Sequence, residues 1–557
     1  MSEIYNVVSL DTIAKSIDPS QDLAFDTETV GKYGRIRLAQ FYQRHWPKAL
    51  MVDSPSIFEL FQLLVSLKDT NIVMQYCSYD ISTVQKQTGS RWVPQTFNDT
   101  FLLARLALPQ LSKYSLDELI NYAIGHDPYA AANIVKADMH KLNWGKLILE
   151  PKELLYAALD VYYLFDLYDK VKIAEDTLSY KVDMRALRRA LDFQNNGFCV
   201  DQDRIELQYA SNLARIKEIA LPINANSWKQ VRPYIGSENS DDLGLAKLSM
   251  NGNDKAAAVR ETRKLLKQNS FLDKFSTDDG RIYGHFAPSA RSGRFTCSNQ
   301  NLQQLPRATK GCFGVPEGRV LLYSDYAQLE LRTVAAITGD RTLCQLFYDN
   351  ADPHNHVAKF VFGENFTKDH RQTTKTINFN ALYGGGAGML QGILLKQANQ
   401  WLEIDEIKAI MRKWRRIFPG IVGWQEKGIG DYNKGRLGST PFGRQYRGNL
   451  MTDQLNIANQ GFGADIAKLA LHYMYDDLLA NDAQLVNFIH DSYIIEMPDD
   501  EIAYKKVAKL AAEAMKEAWI EGSKMAKVTD IPMPVEIGVG SNWGDLEAGN
   551  TIYSLTV

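Results

Sequence analysis

A chain of 557 residues with no internal repeat and no low-complexity linker cannot close around one hydrophobic core. Single cores stop growing near roughly 250–300 residues, so at about 150 residues per domain this sequence divides into roughly three or four. Hydrophobic residues make up 45% and charged residues 23% of it, which excludes a disordered, collagen-like or disulfide-stapled chain. No stretch approaches the run of about 18 apolar residues that a membrane span needs. The start, Met1-Ser2-Glu3-Ile4-Tyr5, lacks the basic and apolar regions of a secretory signal. Cys77, Cys199, Cys297, Cys312 and Cys344 form no C-x-x-C pair and are odd in number, so neither a zinc site nor a disulfide framework is indicated. The expectation is a cytoplasmic protein with no membrane partner.

Hydrophobic patterning changes along the chain. Leu23 to Asp26, Arg35 to Phe41, Ala49 to Val52 and Ile72 to Met74 read as short strands, and Ile57 to Leu67 as a helix. Glu153 to Lys172 has apolar residues at three- and four-residue spacing and reads as one long helix. Residues 176 to about 275 read mainly as helices, broken at Pro222, Pro233 and the Gly-Ser-Glu-Asn-Ser run at 236–240. Boundaries fall near 175 and 300. The net charge of −3 conceals basic runs: five cations and no acid between Arg281 and Pro316, Lys408 to Arg416 around Trp414, and Lys434, Arg436, Arg444 and Arg447 in an acid-free stretch. Each alone reads equally well as a solvated face; together they suit a phosphate backbone.

Two carboxylate groupings stand out. Asp26-Thr27-Glu28 continues an apolar strand, and residues i and i+2 of a strand share a face. Converging carboxylates are costly unless a cation lies between them, and paired divalent ions are the usual partners where phosphodiesters are cut. Asp80 follows the strand at 72–75. Tyr156 and Asp160 stand four residues apart on one helix face, where the phenol can orient a water. Asp26, Glu28, Asp80 and Tyr156-x3-Asp160, in this order, resemble the motifs of the DEDDy 3′-to-5′ proofreading exonucleases, as does Asn98-Asp99-Thr100-Phe101-Leu102-Leu103. The resemblance implies an RNase H-like domain over residues 1–175, with Asp26, Glu28, Asp80 and Asp160 as metal ligands. Tyr76 departs from it, standing where that family usually carries Asn.

The second grouping lies far along the chain. Val320 to Asp325 is an apolar strand ending in an acid, and Leu329 onward reads as a helix. Leu485 to Met497 reads as two strands around the polar tip His490-Asp491-Ser492. Between them Arg371, Lys375, Phe379 and Tyr383 recur every four residues and form one slanted stripe on a helix. Cations at one end suit a triphosphate and rings at the other suit a base and sugar. Gly384-Gly385-Gly386 ends the helix.

These segments resemble the family A DNA polymerases: Asp325-Tyr-Ala-Gln-Leu-Glu-Leu-Arg332 for motif A, Arg371 to Gly384 for motif B, and His490-Asp491 for motif C. Ser292-Gly-Arg294, Asn301 to Arg307, Asn226 to Gln230, Asn456 with Gln460 to Asp465, and Val535 to Trp543 add to the likeness, which covers nearly the whole chain. It implies a multidomain α/β and α+β protein, an exonuclease domain followed by a right-hand polymerase. The thumb and the start of the palm would occupy 176–300, and palm and fingers 301–557, with the fingers at about 341–450.

Carried over position by position, the resemblance gives Asp325 and Asp491 two Mg²⁺ ions, with Mn²⁺ as a substitute. Arg371 and Lys375 take the triphosphate, and Lys375 can protonate the leaving group. Phe379, Tyr383 and Gln328 line the nucleotide site, and Glu330 blocks a ribose 2′-hydroxyl. Arg294, Asn301, Gln303, Asn456, Gln460 and His490 meet the primer–template. The implied partners are primer–template DNA, dNTPs and replisome proteins, for a monomer. The layout resembles phage replicative polymerases, with no room ahead of residue 26 for a 5′-nuclease domain. Ser492 departs from motif C, where Glu is usual, and leaves open an exonuclease whose polymerase half only binds DNA. Glu330 argues against an RNA polymerase on the same fold.

Overall fold

The apolar stretch at 23–26 extends as the strand Leu23–Thr29, whose burial alternates around Asp26 and Glu28. In the computed structural model, which describes residues 4–139, 141–275 and 277–557, this strand is central to a six-stranded mixed sheet. Its antiparallel neighbour is Ile36–Tyr42, followed by Ala49–Asp53 and Tyr5–Val7. Its parallel neighbour is Ile72–Met74, then Phe97–Asp99. An antiparallel meander flanked by parallel strands, with helices packed on it, is the arrangement the RNase H-like expectation requires. Residues 1–3, read above for a leader, lie outside the described residues.

This sheet belongs to the first of two units, which runs to Asn195 and takes in Phe286–Gly293 and Phe442–Arg447. The unit passes the boundary expected near 175 because the helix Leu178–Phe193 buries Tyr180, Leu187 and Leu191 in the same core. Within it Arg444 and Asp183 form a buried ion pair at 2.8 Å. The long helix expected over 153–172 is instead two, Pro151–Tyr162 and Leu164–Val171, followed by a 3₁₀ turn at Lys172–Ala174. At the break the Tyr162 ring lies tilted against Tyr42 at 5.0 Å and edge-on to Tyr163 at 5.1 Å, so aromatic side chains crowd the point where the helix stops.

The second unit comprises Asn196–His285, Arg294–Pro441 and Gly448–Val557. Its helices over 202–272 include Trp228–Ile235, which carries Pro233 inside it rather than stopping there. Pro233 forfeits one backbone bond, and the helix ends at left-handed Gly236. A five-stranded antiparallel sheet follows, in the order Gln484–Ile489, Ser492–Pro498, Arg319–Tyr326, Val535–Gly540, Tyr553–Thr556. The helices Met451–Ala480 and Glu501–Ser523 pack together and against this sheet. In the helix Ile404–Ile417, Ile407, Ile410 and Trp414 are buried, so its basic run is the outward face of an amphipathic helix. Among the described residues no helix is long and apolar enough to cross a membrane.

Candidate active sites

In the first unit the strand Leu23–Thr29 presents Asp26 and Glu28 on one face, and the helix Pro151–Tyr162 brings Asp160 to them. Ligand oxygens of these three lie within 4.8 Å of one another. Burial, then the neighbouring carboxylates, push Asp26 and Glu28 well above the usual carboxylate range, and Lys136 opposes the shift at both. Asp80 lies outside that trio, on the helix Ser78–Thr88, where its Oδ1 accepts from the Thr27 hydroxyl at 2.6 Å. Burial lifts its pKa to about 7 against that bond, and its charge still reaches Asp26 and Glu28. Tyr156 is buried between the rings of Tyr129 and Trp144, and its phenol is pushed up by burial and by Asp160, Glu28 and Asp26. An all-carboxylate donor set of this closeness fits Mg²⁺ or Mn²⁺.

Tyr76 adopts a left-handed conformation, φ 56°, ahead of the helix carrying Asp80. Asp99 supplies the hydrogen bonding there: its two oxygens accept from the Tyr76 and Cys77 amides at 3.0 and 3.1 Å. The sequence reading passed over Tyr129 and Lys136. The Tyr129 hydroxyl donates to Asp160 at 2.5 Å, and the Lys136 ammonium sits 5.0 Å from the Tyr129 ring centroid and 3.0 Å from Asp117. Neither lies in a recognisable spacing to Asp160, so no local pattern could have found them.

In the second unit Asp325 lies near the end of the central strand, and His490-Asp491 form the tip of the hairpin beside it, with His490 at φ 58°. Burial raises Asp325 to about 6, with Glu536 and Glu547 adding to the rise and the Tyr323 phenol opposing it. Burial and then Asp325 push Asp491 well up, and Arg294 opposes. Two such acids, costly together when ionised, fit a divalent cation. Glu536, to which the sequence reading gave no role, lies directly across from Asp325 on the next strand. The hydroxyl of buried Ser492 donates to the Ile489 carbonyl at 3.0 Å, closing the hairpin turn.

The expected stripe lies on the helix Lys368–Leu382, with Tyr383 as its C-cap and Gly384 left-handed beyond it, where an added Cβ would meet Leu455 at 3.0 Å. Its neighbours Thr373, Thr374, Ile377 and Asn378 are buried, so the stripe faces away from the core. Lys375, Phe379, Tyr383 and Asn456 line a cavity of about 590 Å³, and the buried Oδ1 of Asn456 has no partner among the described residues. Arg371 is ion-paired with Asp352 at 2.5 Å. Asp352 also caps the helix carrying His354, whose pKa burial lowers to about 4. The sequence reading missed both. Glu330 is held on two sides: Oε1 accepts from Arg294 at 2.5 Å and Oε2 from the Tyr383 phenol, while Asn459 bonds the Glu330 carbonyl at 2.9 Å. Gln328 caps that helix at φ 57°, and Gln303 donates to the Phe488 carbonyl at 2.9 Å on the hairpin. His490 is exposed, Gln460 is half-buried on the Met451–Ala480 helix, and Asn301 accepts from the Gln303 amide at 3.2 Å.

The family model for DNA polymerase family A matches residues 208–545, and that for a 3′-5′ exonuclease matches residues 2–173. The chain is 26% identical to DNA polymerase I of Aquifex aeolicus over 95% of this chain and 97% of that protein. It is 26% identical to the DNA polymerase of Mycobacterium phage D29 over 88% of this chain and 90% of that one. It spans less than half of the thermostable Thermus DNA polymerases I that it also matches. A solved structure, the POL domain of Pol1 from M. smegmatis in complex with DNA primer-template and dNTP, superposes with a TM-score of 0.78 over 97% of this chain and 99% of that chain. At 19% identity that likeness is one of fold.

Proposed function

The chain belongs to DNA polymerase family A, and on that footing we propose that it extends a primer on a DNA template and trims mispaired ends with its own 3′-to-5′ exonuclease, each reaction run by its own carboxylate cluster. The observation that carries this reading is the occurrence of strained acid groupings in separate units, Asp26, Glu28 and Asp160 in one and Asp325 with Asp491 in the other. Asp325 and Asp491 would hold the divalent ions of synthesis, and Asp26, Glu28, Asp80 and Asp160 those of degradation. Bound there, two Mg²⁺ ions per site supply positive charge that eases ionisation of the attacking oxygen and offsets charge on the departing group.

The remaining roles fall to the chain's own side chains. Lys375, exposed at the cavity, meets the triphosphate and delivers a proton to the departing pyrophosphate. Arg371 joins it by exchanging Asp352 for phosphate oxygens. Phe379 and Tyr383 bound the space for base and sugar, with Gln328 close to the strand end that carries Asp325. Glu330, held by Arg294 and Tyr383, is a fixed wall against a 2′-hydroxyl. Arg294, Asn301, Gln303, Asn456, Gln460 and His490 contact the primer–template and the nascent pair. In the exonuclease centre Tyr156 orients the attacking water. With the first unit running to Asn195, the thumb and the start of the palm fall to about 196–300, and palm and fingers to 301–557, with the fingers at about 341–450.

Likeness to a phage polymerase along most of both chains supports a role in replicating a phage genome in the host cytoplasm; the reading takes the enzyme as a monomer that works with replisome proteins. Extension of a labelled primer, with all four dNTPs and then with one withheld, tests the reading. Extension to the template end is expected with all four; with one withheld, extension should stop one position before that nucleotide is required, with continued release of dNMP there as excision and refilling alternate. Shortening without extension at any Mg²⁺ concentration would leave an exonuclease with a DNA-binding second half.

A further inference from the structure

The exonuclease centre has a charge that its carboxylates do not balance. Four carboxylates can be matched by two divalent ions, but a scissile phosphodiester adds a negative charge, and more develops as the attacking oxygen closes on phosphorus. A fixed cation aimed at that position is worth most where water is excluded. The first unit has several cations near its sheet, and most are engaged elsewhere. Arg37 is paired with Asp53 at 3.0 Å and Lys146 with Glu153 at 2.5 Å.

Lys136 differs. It opens the short helix Lys136–Met139, with its ammonium over the face of Tyr129, and the hydroxyl of that ring bonds Asp160. Ammonium, ring, hydroxyl and carboxylate therefore stand in sequence at the edge of the acid trio. The carboxylate of Asp117, 3.0 Å from the ammonium, holds the side chain there, and the lysine side chain keeps 19% of its surface exposed. Its positive charge is felt at both Asp26 and Glu28.

From this placement we propose that Lys136 is a catalytic residue of the exonuclease, the cation that receives the non-bridging oxygens of the scissile phosphodiester, with Asp117 and Tyr129 as positioning residues. The proposal rests on the exonuclease reading of the Asp26, Glu28 and Asp160 cluster. Lysine suits the task as a compact point charge with three donors on a flexible stem. The phosphate would displace Asp117 from one face of the ammonium without moving the backbone.

The test uses the full chain and a labelled single-stranded oligonucleotide, with Lys136→Met, Lys136→Arg and Asp117→Asn beside the parent. Expected for Lys136→Met is a fall in exonuclease kcat of about 10²- to 10³-fold, with primer extension and melting temperature as in the parent. Its KM should depend less on salt, the slope of log KM against log salt flattening by about 0.7, the value for one phosphate contact on a single strand. Lys136→Arg should recover most of the activity, and Asp117→Asn should keep the parental salt slope. Degradation by Lys136→Met at the parental rate and slope overturns the proposal. So does an equal loss in Lys136→Met and Asp117→Asn with the slope unchanged, since the pair would then be serving the fold. A parent that extends primers but degrades nothing overturns the exonuclease reading beneath it, and is recognised before any variant is compared.

Discussion

Replacing Glu330 by Ala should weaken the choice between deoxy- and ribonucleotides, and the structure sets the scale. Glu330 is fixed from two sides, by Arg294 at 2.5 Å and by the Tyr383 phenol, and Asn459 pins its backbone carbonyl. A side chain so held cannot give way to a ribose hydroxyl. Crowding of this kind costs about 1–3 kcal/mol, and a hydroxyl pressed in without its own hydrogen bonds costs about 1–3 kcal/mol more. The sum corresponds to a discrimination of about 30- to 10⁴-fold, at about 1.4 kcal/mol for each factor of ten. Removing the side chain to Cβ abolishes the wall, so the ratio of kcat/KM for deoxy- over ribonucleotide should fall by about 30- to 10⁴-fold. Glu330→Gln separates size from charge. It keeps the volume and can still meet Tyr383, so discrimination should stay within about tenfold of the parent, although Arg294 loses its counter-charge. Single-nucleotide incorporation, measured for both sugars at one Mg²⁺ concentration, provides the ratios. A Glu330→Ala ratio within threefold of the parent, or a Glu330→Gln ratio as low as that of Ala, would refute the steric argument.

Asp325→Asn or Asp491→Asn should stop primer extension and spare degradation of single-stranded DNA, whereas Asp26→Ala with Glu28→Ala should do the converse; loss of both activities in a folded single-cluster variant contradicts separate sites. Ser492→Glu should change single-nucleotide incorporation by no more than roughly tenfold across a Mg²⁺ titration, since the Ser492 hydroxyl closes the hairpin on Ile489; a parent inactive at every Mg²⁺ concentration and rescued by this change contradicts it. Asp80 titrates near 7 in the folded protein without metal, against 3.8 for the free side chain. Its folded-state pKa is the higher, so its contribution to stability is complete below pH 3.8 and is lost as pH rises through about 7. In EDTA, therefore, Asp80→Asn should melt above the parent at pH 7.5, and the gap should close toward pH 5; a gap independent of pH counts against this account.

Much of the site was legible in the sequence because its signals are local. Asp26 and Glu28 converge because strand residues alternate with period two, and that depends on nothing beyond the strand itself. Arg371, Lys375 and Phe379 share a face because a helix returns every 3.6 residues. His490 and Asp491 mark a hairpin tip because polar residues interrupt two apolar runs. The single long helix expected at 153–172 failed for the complementary reason, since its break at Tyr163 comes with packing of Tyr162 on Tyr42, 120 positions away in the chain.

What tertiary structure alone decided are meetings between residues with no shared period. Glu330 meets both Arg294 and Tyr383, Asp352 holds Arg371, Glu536 faces Asp325 across two strands, and Tyr129 carries the hydroxyl that bonds Asp160. The sequence by itself determined which residues are chemically capable and which of them share a strand or helix face, because backbone geometry is repetitive and local. It could not determine which capable groups come into contact, or how far burial shifts Asp80 and Asp325 toward neutrality. Those depend on the dielectric and the charges that distant segments bring to each site, and they exist only once the chain has closed.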